Sequence, residues 1–186
     1  MEMMERNRKL RLLVTSECPN RCPMCCNNQF DFDQLERVKD FDYDEIMITG
    51  GEPLLYPDKV EELARSIKVC NSIIYPEENT PKIYVYTSVA SYLAFRQVLR
   101  EVDGIVLTPH SGRDVQQFLK LNDVLKLHLR FNELRPSLRL NLFKNIKKML
   151  PEDIDLSLWQ VKDMEWVKDC PVPKGEDFRR LPTLWT

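Results

Sequence analysis

The chain has 186 residues, 43% of them apolar and only five glycines, which reads as one globular domain large enough for a real core and not as a disordered polymer. Its net charge of −2 conceals an asymmetry, because acidic side chains crowd between Asp31 and Arg65 and basic ones between Lys120 and Lys148. Four of the six cysteines fall within nine residues, which excludes a disulfide framework, and no apolar run approaches the roughly 20 residues a membrane span needs.

In chain order, Leu10–Thr15 is short, mostly apolar and ends in a polar turn, as a buried strand would. The loop Cys18-Pro19-Asn20-Arg21-Cys22-Pro23-Met24-Cys25-Cys26 comes directly after it. Its C-x3-C-x2-C spacing aims three thiolates, Cys18, Cys22 and Cys25, at one point, a soft donor set that suits an iron–sulfur cluster or zinc. An ordinary electron-transfer cluster takes four cysteines; three leave one iron open, with Cys26 pointing elsewhere. Asp31–Phe41 carries a weak helical pattern. Glu45–Thr49 is a second strand running into Gly50-Gly51-Glu52-Pro53.

A capping-box-like Asp58 with Glu61 opens a helix whose Val60, Leu63, Ala64 and Ile67 share one face. Lys82–Thr87 is a third strand, and a helix after Ser91 places Phe95, Val98, Leu99 and Val102 on one stripe. Gly104–Thr108 is a fourth strand, followed by a helix from Asp114 to Leu127 and a linker from Phe131 to Pro136. Ser137–Phe143 is a fifth strand, Asn145–Leu150 a short helix, and Ile154–Val161 a sixth strand.

Strands alternating with amphipathic helices predict parallel βαβ units, either a partial barrel or an open doubly wound sheet. In Leu138-Arg139-Leu140-Asn141-Leu142 one face is leucine and the other polar, which favours a barrel, since a strand between two helix layers is apolar on both faces. The expectation is therefore an α/β fold, a partial (β/α)6 TIM-like barrel with helices outside. It has a core at 1–163 and a short, irregular tail at 164–186 containing Pro171, Pro173 and Pro182.

The loops after the strands' carboxyl ends carry the chemistry of such a fold. Here they hold the cysteines, Gly50–Pro53, Thr87-Ser88 and Pro109-His110-Ser111. With the C-x3-C-x2-C loop after the first strand and Ile48-Thr49-Gly50-Gly51-Glu52-Pro53-Leu54-Leu55 after the second, the sequence resembles the radical S-adenosylmethionine (SAM) superfamily. The resemblance implies a [4Fe–4S] cluster on Cys18, Cys22 and Cys25 whose open iron chelates the amino and carboxylate groups of SAM, with Gly50, Gly51, Glu52 and Pro53 at the methionyl end. Thr87 and Ser88 look like the third-strand contacts, Arg139 and Asn141 like fifth-strand contacts to ribose or carboxylate, and Gln160 like a backbone contact to adenine. Met24 stands where the family usually has an aromatic near adenine.

The same resemblance implies reductive cleavage of SAM to a 5′-deoxyadenosyl radical that takes a hydrogen atom from a substrate, with a one-electron donor such as flavodoxin or ferredoxin. Small relatives include glycyl-radical activases, to which Tyr84-Val85-Tyr86-Thr87 bears a weak likeness, and deazapurine synthases. The substrate is a nucleotide-like small molecule, a peptide or a partner protein; the Lys120–Lys148 stretch would suit an anionic one. His110 reads either as a substrate contact or proton donor or as a satisfied loop histidine. The alternative to an enzyme is a non-catalytic iron–sulfur or zinc-binding interaction module. A reducing cytoplasm is expected from the cysteine usage and the polar start Met1–Lys9, with no membrane or nucleic-acid partner.

Overall fold

The computed structural model describes residues 8–22, 25, 28, 30–74, 80–129, 136–167 and 171–186. Met24, Cys26, Cys170 and nearly all of the 131–136 linker lie outside them.

Six strands come in the expected order: β1 (Lys9–Thr15), β2 (Glu45–Gly50), β3 (Lys82–Thr87), β4 (Gly104–Leu107), β5 (Ser137–Phe143) and β6 (Gln160–Met164). They pair in parallel with their sequence neighbours, and a seventh strand, β7 (Glu176–Trp185), adds in parallel to the free side of β1. The sheet order is therefore β6-β5-β4-β3-β2-β1-β7. β6 and β7 form its two edges, so the sheet is not closed.

The helices α1 (Pro57–Ile74), α2 (Tyr92–Val98), α3 (Gly112–Leu129) and α4 (Lys144–Lys147) all pack on one face. In α1, Val60, Ala64 and Ile67 recur at helical spacing and are buried; Ser91 caps α2 by accepting from the Ala94 N–H. They meet Leu10, Leu12 and Val14 of β1, Ile46 and Ile48 of β2, and Leu138, Leu140 and Leu142 of β5 in one continuous core. The period of two then sends Arg11, Leu13, Met47, Tyr86 and Asn141 to the opposite face. Among the described residues, helices on one face alone set this sheet apart from a doubly wound one, which needs both faces covered.

Three expectations are corrected. Asp31–Phe41 contains no helix: the Val38 N–H donates to Arg180 O and the Arg180 N–H to Glu36 O, so β7 takes the hydrogen bonds a helix would need. The sixth strand lies six residues later than its expected start, because Ile154, Leu156 and Leu158 owe their alternation to turns packed against the core. The tail is not irregular throughout. β7 tolerates Pro182 because it is an edge strand with a register break between its Arg180 and Trp185 pairings.

Candidate functional site

Every strand-to-helix loop that carries a singled-out residue opens at the carboxyl end of the sheet, where one cavity of about 550 Å³ lies. That is within the range of small-molecule sites, roughly 300–1,000 Å³. Cys18, Cys22 and Cys25 line it from the loop after β1, and Gly50, Gly51 and Glu52 from the turn after β2. Thr87 and Ser88 after β3, His110 after β4 and Asn141 of β5 complete the predicted residues found there.

Three expected contacts do not line it. Pro53 is buried at the start of the short 3-10 turn Pro53–Leu55. Arg139 lays its guanidinium over the Tyr84 ring, 4.3 Å from the centroid. Gln160 is exposed on the edge strand β6. Met24 lies outside the described residues.

The turn after β2 is pressed onto the base of the cysteine loop. The Gly51 N–H donates to Thr15 O and the Glu52 N–H to Glu17 O, each at 2.7 Å. Both glycines are required by this approach: Gly50 has φ +133°, and a Cβ on Gly51 would sit 1.9 Å from Glu17 O. The Tyr56 hydroxyl donates to Glu17, and the Thr15 hydroxyl to Trp185 O at 2.8 Å, so β7 braces the same base.

Glu52 is only 1% exposed. Its Oε1 accepts from the Leu54 N–H at 3.1 Å and from the Thr87 hydroxyl, and its Oε2 from the N–H and hydroxyl of Ser88, both at 2.7 Å. A carboxylate offers about four lone-pair sites. Here four protein donors occupy them, so the side chain ties the β2 turn to the β3 loop and is saturated toward any ammonium.

Burial pushes the Cys18 thiol up, opposed by a hydrogen bond from the Asn20 backbone N–H and reinforced by the charges of Glu52 and Cys25. Cys22 is pushed up to about 11, first by burial and then by Cys25 and Cys18. Cys18 and Cys22 both feel the charge of Cys25, as thiols grouped around one space do. Yet among the described residues no three or more His, Cys, Asp or Glu side chains are drawn together tightly enough to hold a metal ion. The cysteines thus fit a thiophilic centre in donor chemistry and common placement, not in preformed geometry.

On the opposite wall the His110 ring lies 5.7 Å from those of Phe143 and Trp166, which stack on each other at 4.1 Å. Burial lowers the His110 pKa, with Asp114 opposing, so the imidazole stays neutral near pH 7. Its Nδ1 is buried without a hydrogen-bond partner among the described residues. Asp114 Oδ2 accepts from the N–H groups of His110 and Ser111 at 2.9 and 3.0 Å and fixes the loop.

Sequence reasoning missed Asn20, Phe143, Trp166 and the β7 residue Phe178, which also line the cavity. Only Asn20, inside the cysteine spacing, had a local signal. The aromatics join the site through sheet order. Trp159 packs as a structural residue, its Nε1 donating to Asn122 Oδ1 at 2.9 Å. Among the described residues no helix is long and apolar enough to cross a membrane. A search of protein-family models and of curated proteins finds no match to the chain.

Proposed function

We propose that this chain is a radical SAM enzyme whose open parallel sheet acts as a partial (β/α)6 barrel, with β7 as an added strand. Cys18, Cys22 and Cys25 would hold a [4Fe–4S] cluster, with SAM in the same cavity. The observation that carries this reading is the meeting of the three cysteines and the Gly50–Glu52 turn around one cavity at the carboxyl ends of parallel strands. Held by Cys18, Cys22 and Cys25, such a cluster would supply the one-electron reduction of SAM that prepares it to take a hydrogen atom from a substrate.

The protein's own part is positioning. Gly50 and Gly51 admit a ligand close to the backbone. Glu52, Thr87 and Ser88 hold the β2 and β3 loops in register. Asn141, whose Nδ2 donates to Thr108 Oγ1 at 3.2 Å, keeps its amide oxygen for a sugar hydroxyl. Phe143 and Trp166 give one wall a stacked aromatic surface. The electron comes from a donor such as flavodoxin or ferredoxin, and the substrate is a nucleotide-like small molecule, a peptide or a partner protein.

Anaerobically reconstituted protein given reductant and SAM is expected to release 5′-deoxyadenosine, and Cys22→Ala to abolish it. No 5′-deoxyadenosine from a protein that has taken up iron refutes the reading. A second reading, a non-catalytic zinc or iron–sulfur module, draws on the three cavity-lining thiols alone, a donor set that suits a thiophilic metal whether or not SAM binds beside it. Titration of SAM into the reduced protein, followed by electron paramagnetic resonance, separates the two: a perturbed spectrum requires an open-iron site, and an unchanged one favours the module.

A further inference from the structure

Asn20 stands between Cys18 and Cys22. Its Nδ2 donates to Ser88 Oγ, across 68 residues of sequence, at 2.9 Å. Among the described residues this is the one hydrogen bond joining 18–22 to a part of the chain outside the cysteine loop.

The direction of each bond onward from Ser88 is fixed. The Ser88 hydroxyl has a single proton, and Glu52 Oε2 takes it at 2.7 Å. Its oxygen can therefore only accept from Asn20. The Thr87 hydroxyl likewise donates to Glu52 Oε1 and accepts from the Val89 N–H at 2.9 Å. The chain of donors runs from the cysteine loop inward and ends on a buried carboxylate whose lone pairs are all filled.

We propose that Asn20 is a positioning residue of the cysteine loop, suspending it through Ser88 from the buried Glu52 carboxylate so that the Cys18 sulfur is presented to the cavity. What the loop holds rests on the radical SAM reading; the suspension does not. The backbone ties at Thr15 and Glu17 secure only the stretch before Cys18. Beyond Cys18 the Asn20 amide is what keeps the loop against the β3 side of the cavity. The requirement is for a donor and not for bulk. Asn20→Asp keeps the size but turns an acceptor toward an oxygen with no proton left to give.

The test compares Asn20→Asp, Asn20→Ala and Ser88→Ala with wild type, after circular dichroism has shown that each is folded. In the metal-free protein, alkylation of Cys18 and Cys22, followed by mass spectrometry and normalised to the exposed Cys70, should accelerate about three- to tenfold, the factor one net hydrogen bond supplies. Iron retained after anaerobic reconstitution and desalting should fall in the same order. The reduced-cluster resonance spectrum should broaden in Asn20→Asp, a change that a space-filling role would not produce. Asn20→Ala and Ser88→Ala should not add when combined, because they break one relay.

Wild-type alkylation rates and iron retention in Asn20→Asp overturn the proposal, as does full additivity of the two alanine variants. Should wild type itself take up no iron, the radical SAM reading falls, and the alkylation comparison still decides the relay.

Discussion

Gly51→Ala tests whether the β2 turn and the cysteine loop form one unit. The new Cβ would lie 1.9 Å from Glu17 O, 2.5 Å from Glu17 C and 2.8 Å from Ser16 C, all backbone atoms that cannot rotate away. Ordinary contact needs roughly 3.5 Å, so the turn must retreat by about 1 Å or more. That lengthens the two 2.7 Å bonds from Gly51 and Glu52 beyond hydrogen-bonding range. Two net hydrogen bonds at about 1 kcal/mol each, with about 1–3 kcal/mol of overpacking strain, give a loss of about 3–5 kcal/mol. For a domain of this size each kcal/mol shifts Tm by about 2–4 °C, so a fall of roughly 6–20 °C is expected in a calorimetric melt. Gly112→Ala is the control. Its Cβ would meet only Met149 Sδ, at 3.9 Å, and it should melt at or slightly above wild type. A Gly51→Ala protein melting within about 2 °C of wild type would refute the argument for tight loop packing.

Further outcomes test other parts of the site. Glu52→Gln sets an amide NH2 against protein donors in a buried network and should lower stability by about 2–4 kcal/mol, read from the urea midpoint at unchanged m; an unmoved midpoint would show that the four bonds are not formed. Cys22, pushed up to about 11, is about one part in a thousand thiolate near pH 8, against about one in ten for a thiol titrating at 9.0. Its alkylation should therefore be about a hundredfold slower than that of an unperturbed thiol and should rise with pH to about 11, and uptake of a thiophilic metal should also increase with pH because protons are displaced. A rate that levels off below pH 9 contradicts the burial argument. Trp159→Phe leaves the buried Asn122 Oδ1 without its donor and should cost about 1–3 kcal/mol in thermal unfolding, whereas an unaffected melt would show the bond to be dispensable.

The legibility of the fold tracked the range of the interactions involved. Ser137–Phe143 was readable because its leucines and its polar residues alternate within one strand, and both faces are used as that pattern requires. Asp58 and the apolar spacing after it announced α1, although its first turn begins one residue earlier. Asp31–Phe41 misled because its hydrogen-bond partner, Arg180, is far along the chain. Ile154–Val161 misled because turns packed on a core produce the same short alternation as a strand. The same division holds at the site: Cys18, Cys22, Cys25, Gly50 and Gly51 announce themselves by spacing, while Phe143, Trp166 and Phe178 enter it through the order of the sheet.

By itself the sequence determined the local chemistry: three closely spaced thiols, a glycine turn able to approach them, and the first five strands with the helices that follow β2, β3 and β4. Those are matters of spacing and periodicity, which a few adjacent residues specify. The tertiary structure decided how the parts are used. It placed a seventh strand on the free side of β1, put α1 to α4 on one face, and filled the lone pairs of Glu52 with donors from Leu54, Thr87 and Ser88. A buried carboxylate goes to whichever donors the fold brings within reach, and donors more than thirty residues distant leave no mark on the sequence around Glu52.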